Sequence, residues 1–238
     1  ARLRRLLDAA AAGRPPAPDG RVEVISRPPG PVHAVVSFTA HVVVAATVEE
    51  DWVLGQVDLD DPGAPTIPHF VAALADHVGA RAGQLDAVLV ARPAAAGAAG
   101  NESLSLAELD PEKVAASDHP RLRRACQYRR DLRAFETEDG AGLVVVGRGL
   151  AGRLEVAFEV APGARGRGLG RALARAGYGL APAGEPVYAQ VSPGNVASLR
   201  ALLAAGYVPV ASEVLLLDPE RPRGLATGWP GRPRPASG

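Results

Sequence analysis

Residues 159–176 read EVAPGARGRGLGRALARA. Strand-like residues run up to Val160, breakers follow at Pro162, Gly163, Gly166, Gly168 and Gly170, and helix formers take over from Leu169. A chain that stops and restarts in this way must make strand, tight loop and helix in immediate succession. That confines the fold to one mixing sheet and helix, with a helix starting at the end of a strand. Arg165, Arg167 and Arg171 are interleaved with the breakers. The first N–H groups of a helix have no partner within it, and the helix dipole adds positive character there, so such a start can receive an anion. Glycines let the backbone come close to a bulky group. The loop alone therefore supports two readings, a pyrophosphate cradle or a glycine-rich turn. The spacing [Gln/Arg]-x-x-Gly-x-[Gly/Ala], filled by Arg165, Gly168 and Gly170, does not decide between them. In a composition this rich in Arg, Gly and Ala, about one chance match is expected. No lysine follows in the register of a Walker A loop, and Leu173 stands where a dinucleotide fingerprint needs its third glycine.

The flanking sequence carries more information. Periodicity predicts an amphipathic helix over 1–12 with Leu3, Leu6 and Leu7 on one stripe, and strands over 22–25 and within 32–48. A helix over 67–78 follows, with Phe70, Leu74 and Val78 in line and Gly79 as its stop, and then a strand over 85–91. Residues 92–103 have no period and read as a linker between two halves. Beyond them the pattern predicts a helix over 120–130 and three short strands over 132–137, 143–148 and 154–160, separated by EDGAG and GLAG in the manner of an antiparallel meander. The glycine loop then leads into a helix over 169–180. A strand over 187–191, a helix over 195–205 and a strand over 207–217 complete the order. The last twenty residues, rich in Pro, Gly and Arg, read as disordered.

Two segments together carry a resemblance. RGRGLG opens one helix, and NVASLRALLAAGY starts the next from Asn195 and ends it at Gly206 and Tyr207. With the order of strands around them, residues 103–217 resemble the GNAT superfamily of acetyl-coenzyme A-dependent N-acetyltransferases. The resemblance implies a mixed α/β (α+β) fold whose mostly antiparallel sheet is flanked by helices, preceded here by a smaller α/β lobe. The expected domains are 1–98 and 99–218, with 219–238 as a tail. It implies acetyl-CoA as co-substrate. Backbone groups of Val160, Ala161 and Pro162 would pair with its pantetheine arm, and the N–H groups of Arg165, Gly166, Arg167, Gly168, Leu169, Gly170 and Arg171 would hold its pyrophosphate. Asn195 and Ser198 would line the gap between two parallel strands that splay apart near Val160 and Val191. Asn195 reads equally well as a plain helix cap.

Acetyl transfer from a thioester to an amine needs a proton acceptor for the amine, a donor for the oxyanion and a proton for the thiolate. Many members of the family place a tyrosine four residues before the glycine that ends the second helix, and here that position is Leu202. Tyr207 and Tyr188 are the remaining candidates for the acid, each with a plain reading as a core aromatic. Glu155 and Glu159 share one face of their strand and are the candidates for the base, Glu136 a lesser one. Their plain reading is a solvated strand face.

Composition excludes more than it assigns. The 238 residues carry no net charge, so no bulk attraction to nucleic acid or membrane is expected. Cys126 is the only cysteine, which rules out an intramolecular disulfide and suits a cytoplasmic protein. The N-terminal stretch reads as a short Arg/Leu helix rather than a signal peptide, and 32–48 as buried strands rather than a membrane span, since His33, Ser37, Thr39 and His41 interrupt it. The five histidines lack metal-ligand spacing, so no metal is expected. Arg121, Arg123, Arg124, Arg129 and Arg130 cluster around one helix, as a solvated face or as the seat of an acidic partner. Residues 1–98 read as a degenerate GNAT-like lobe or as an independent small α/β domain, with a small-molecule or peptide amine entering between the halves. A homodimer through the C-terminal strand edge is open to the chain. The contrasting reading is a catalytically silent acyl-CoA-binding module.

Overall fold

A computed structural model describes residues 2–92 and 104–218. The helices are α1 (Arg2–Ala11), α2 (Glu50–Leu54), α3 (Pro68–His77), α4 (Pro111–Ala116), α5 (Pro120–Tyr128), α6 (Leu169–Gly179) and α7 (Val196–Ala204). The strands are β1 (Val22–Ile25), β2 (Val32–Phe38), β3 (His41–Ala45), β4 (Arg81–Ala91), β5 (Leu106–Glu108), β6 (Arg130–Thr137), β7 (Gly142–Arg148), β8 (Leu154–Val160), β9 (Val187–Val191) and β10 (Val208–Leu217). The expected linker over 92–103 and the tail after 218 lie, but for Arg92, outside the described residues.

All ten strands form one mixed, mostly antiparallel sheet in the order β1-β3-β2-β10-β4-β9-β8-β7-β6-β5. The two halves of the sequence therefore share a sheet, and they exchange strands within it. β4, from the first half, lies between β10 and β9 of the second, and β10 is inserted between β2 and β4 of the first. The parallel pairs are β1 with β3 and β8 with β9.

Side-chain alternation sorts the core onto two faces. On one face Leu89, Val144, Val156, Leu173 and Leu202 pack beneath α6 and α7, and Val35, Val44 and Leu216 pack against Phe70 and Leu74 of α3. On the other, Ala34, Val36, Val90 and Leu215 meet Leu3 and Leu7 of α1, while Leu143 and Val145 meet Leu122 and Ala125 of α5. Helix α6 sits so close to the sheet that a Cβ on Gly177 would lie 2.4 Å from Val156 Cγ2.

Three short elements escape the sequence pattern. α2, α4 and β5 span five, six and three residues, too few for a period to register. On α7, Leu202 is buried, whereas the neighbouring Leu203 is 45% exposed.

Candidate functional site

β8 and β9 run parallel but stay together only over Leu154↔Val187, Glu155↔Tyr188 and Val156↔Ala189. Beyond Val156 the strands part, and residues 157–160 keep their pairing to β7 alone. A cavity of about 200 Å³ opens in the gap. Its walls include Val156, Ala157 and Phe158 of β8, Ala189, Gln190 and Val191 of β9, and Asn195, Ser198 and Leu202 at and within α7. Arg121, Arg124 and Tyr128 of α5 close the opposite side, with Gln84 and Asp86 of β4. A cleft formed by parting strands exposes one edge of backbone donors and acceptors, which suits an extended, amide-bearing ligand.

The glycine loop follows β8 directly. Gly166 and Gly168 have φ of 77° and 85°, and Gly168 is the left-handed residue from which α6 starts. Only glycine adopts that conformation without strain. An added Cβ at Gly163, Gly166 or Gly168 would meet nothing within 4 Å, so the loop presents an open surface. Gly170 lies against its surroundings, its added Cβ 3.4 Å from Ala201 Cβ and 3.6 Å from Phe158 Cε2. The loop's own bonds use the N–H groups of Ala164, Arg165, Arg171 and Ala172. Those of Gly166, Arg167, Gly168, Leu169 and Gly170 make no backbone bond among the described residues. Through Phe158 and Val160, which an added Gly170 Cβ would approach, this free set of donors adjoins the cleft.

The backbone groups of residues 160–162, expected to meet the pantetheine arm, are largely engaged. Ala161 N–H donates to Ala141 O at 2.8 Å, Pro162 has no N–H, and Val160 O accepts from Arg165 Nε at 3.2 Å. The edge left free is that of residues 157–160. Asn195 caps α7, its Oδ1 accepting from Ser198 N–H at 3.2 Å, and both residues also line the cleft. The capping and the cleft-lining readings of Asn195 hold together.

The two candidate bases have different surroundings. Glu159, 37% exposed at its side chain, faces Arg121 Nε at 3.2 Å and His119 Nε2 at 3.8 Å at the mouth of the site. Glu155 is fully buried, and its carboxylate is saturated. Arg129 Nε and Leu150 N–H donate to it at 2.9 and 3.1 Å, and Arg153 Nε at 2.8 Å. Arg153 and Arg129 hold its pKa at about 2 despite burial, so it is a poor proton acceptor and a structural ion. Arg153 continues to Glu213 on β10 at 2.6 Å, tying β8 to the exchanged strand.

Tyr207 likewise departs from expectation. It is 1% exposed and donates its hydroxyl to Ala174 O at 3.2 Å, and burial raises its pKa. Its place is in the core beneath α6, not among the cleft residues. Tyr188 is buried on the α1 side of the sheet, over Arg153. Leu202 does line the cleft, so the position where the family often has a hydroxyl is apolar here.

Two ionisable cleft residues were not singled out from the sequence. Tyr128, at the end of α5, is buried, with its pKa pushed up to about 12. Asp86 is 5% exposed and accepts from Gln84 Nε2 at 3.0 Å, with Arg124 Nη2 more distant at 3.7 Å. Burial pushes its carboxyl above the usual range, and the Gln84 and Arg124 contacts only partly offset this. The sequence signal was an acid inside the strand expected over 85–91, on the same face as Val88 and Val90. Among the described residues no three His, Cys, Asp or Glu side chains converge as metal ligands, and no helix is long and apolar enough to cross a membrane.

No family model and no curated protein matches the chain. Solved structures do resemble it. A GNAT-family protein from Novosphingobium aromaticivorans matches at 20% identity and a TM-score of 0.40, over 58% of this chain and 67% of the other. An acetyltransferase of the same family from Colwellia psychrerythraea matches at 13% and 0.37, over 61% and 60%. A tandem GNAT protein from the clavulanic acid biosynthesis pathway matches at 18% and 0.41, over 78% and 62%. The matches thus span about two thirds of each of those chains or less. In structure, the chain resembles proteins of the GNAT family.

Proposed function

We propose that the protein is an acetyl-CoA-dependent N-acetyltransferase acting on a primary amine. The observation that carries this reading is the parting of β8 and β9 beyond Val156, next to a helix start with five free N–H groups. The chain's groups fit the co-substrate at both ends. The N–H groups of residues 166–170, with Arg165, Arg167 and Arg171 nearby, suit a pyrophosphate. The free edge of residues 157–160, with Asn195 and Ser198 opposite, suits the amides of a pantetheine arm. When bound, acetyl-CoA supplies an acetyl group activated as a thioester. The chain's part is to align the amine with it in the cleft, to exclude water behind Leu202 and Tyr128, and to move protons. A backbone N–H on the free edge of β8 polarises the carbonyl, and an ionised carboxylate at the cleft, acting as base, takes the proton of the amine. Glu159 can do so from the mouth and Asp86 from the floor, whereas Glu155 is committed to its arginines. With Leu202 at the cleft, the departing thiolate takes its proton from the amine or from water.

Calorimetric titration with acetyl-CoA tests this. Wild type binds. Gly168→Glu with Gly170→Glu abolishes binding, because the new carboxylates crowd and repel a pyrophosphate, while Gly168→Ala, which carries the same backbone strain without the charge, retains most of it. Binding that survives the double Glu variant, or is absent in wild type, refutes the reading. Binding without turnover of any amine would instead favour the silent module, which the apolar Leu202 would suit.

A further inference from the structure

β4 is eleven residues long and is paired unequally. β10 accompanies it from Arg81 to Val90, but β9 pairs only with Ala87 to Ala91. Residues 81–85 are all exposed, and they make no other backbone bond among the described residues. Half of the N–H and C=O groups on that length point away from β10, along an open edge. Sheets normally blunt such edges with lysine, proline, a bulge or a covering loop; residues 81–85 carry a register shift against β10 between Leu85 and Ala82, but no lysine or proline, and no loop covers them among the described residues.

The direction of the edge gives it meaning. β9 runs antiparallel to β4 and stops at Val191, opposite Ala87, where Ser192 turns off into the cap of α7. An extended chain continuing the line of β9 along residues 85–81 would also run antiparallel, and its first residue would lie opposite Asp86. That end opens on the 200 Å³ cavity lined by Asp86, Gln84, Gln190 and Arg124. Farther along, a second cavity of about 260 Å³ lies between Arg81, Gly83, Arg124, Gln127 and Asp218, sharing Arg124 with the first. Asp86 and Gln84 project to the α5 side, as their mutual hydrogen bond requires.

We infer that the acceptor is the amino terminus of an extended peptide that adds as a strand to residues 81–85 of β4, with an acidic side chain at its third residue. This rests on the acetyltransferase reading above. Backbone pairing supplies affinity, and alternate side chains supply specificity. The third residue stands opposite Gln84, on the α5 side, beside Arg124, which is 48% exposed at its side chain and has its Nη2 3.7 Å from Asp86 Oδ2. At the other end Asp86, ionised, removes one proton from the peptide's ammonium group. The amine nitrogen then forms a bond to the acetyl carbon, the C–S bond breaks, the second amine proton goes to sulfur, and Asp86 returns its proton to solvent.

The test uses the full chain, acetyl-CoA, and a random free-amine hexapeptide library, with the twenty amino acids and two polyamines, putrescine and spermidine, as competitors. Products are read by mass spectrometry. The peptides should be acetylated at the α-amine, with Asp or Glu enriched at the third residue. Arg124→Glu should turn that preference to Lys or Arg. N-methylation of the best peptide should abolish turnover at alternate residues only. Asp86→Asn, checked for folding by its melting curve, should lower kcat by about a hundredfold or more with the peptide KM little changed. Acetylation of amino acids or polyamines but not of peptides overturns the inference. So does indifference to N-methylation and to Arg124→Glu, or bound acetyl-CoA with no peptide product. A dimer that Gln84→Pro dissociates would assign the edge to a second copy and overturn it too. Failure of wild type to bind acetyl-CoA would instead sink the underlying reading, and this inference with it.

Discussion

Replacing Glu155 by Gln should cost about 3 kcal/mol of folding stability at pH 7, and the size can be worked out from the network around it. The carboxylate is fully buried and accepts from Arg129, Arg153 and the Leu150 N–H. Its pKa is about 2 in the folded protein against an ordinary 4.5. That difference of about 2.5 units corresponds to about 3 kcal/mol at 1.36 kcal/mol per unit. Breaking a buried pair from one side costs about 3–5 kcal/mol by direct comparison, because the partner charge stays behind. Glutamine keeps one acceptor, but turns its NH2 toward an arginine that can only donate. Because the folded pKa is depressed, the stabilisation is complete above the unfolded value of 4.5. It is lost as pH falls towards 2. The assay is urea unfolding of wild type and Glu155→Gln at pH 7 and pH 3. The difference between them should shrink from about 3 to about 1 kcal/mol. A difference below about 1 kcal/mol at pH 7, or one that does not move with pH, would refute the argument. Glu213→Gln should cost less than Glu155→Gln, since burial raises the Glu213 pKa rather than lowering it.

Three further outcomes are expected. Gly177→Ala should destabilise by about 1–3 kcal/mol, since the new methyl would stand 2.4 Å from Val156 Cγ2, and Val156→Ala in the same chain should recover part of the loss in thermal melting. Tyr207→Phe should lower stability by about 1 kcal/mol through loss of the bond to Ala174 O and leave acetyl-CoA turnover unchanged, as a core residue rather than an acid would. Gly168→Ala should cost about 1 kcal/mol from its φ of 85° alone, since nothing lies within 4 Å of the new Cβ, and denaturant unfolding should show an unaltered slope.

Much of the local structure was legible because it is written in short-range chemistry. The breakers before Leu169 and the cap at Asn195 mark the starts of α6 and α7, and Gly79 and Gly206, at φ of 66° and 94°, follow the ends of α3 and α7. The alternation in 154–160 placed Glu155 and Glu159 on one face, and both do reach toward α5 and its flanks. What they meet there was not legible. Arg129 lies 26 residues from Glu155 in sequence, and no local pattern announces that it saturates that carboxylate and not the other. The strand exchange was equally hidden. β4 and β10 have ordinary strand patterns, and either could have paired within its own half. Asp86 became a cleft residue only through that exchange, because β4 is carried to the side of β9.

The place of β10 also has a consequence for how the chain is made. The last described strand of the chain sits in the interior of the sheet, between β2 and β4 from the first half. Until residues 208–217 have left the ribosome, β2 and β4 face each other across a missing strand, with both edges unpaired and hydrophobic side chains such as Val35 and Val88 uncovered. The first ninety residues therefore cannot complete their own sheet during synthesis, and the decisive pairings span well over a hundred residues. Folding is slow where such distant contacts dominate. The nascent chain thus passes through a long interval of aggregation risk, the period in which a chaperone would hold it, and a chain cut short before residue 208 should accumulate as insoluble protein.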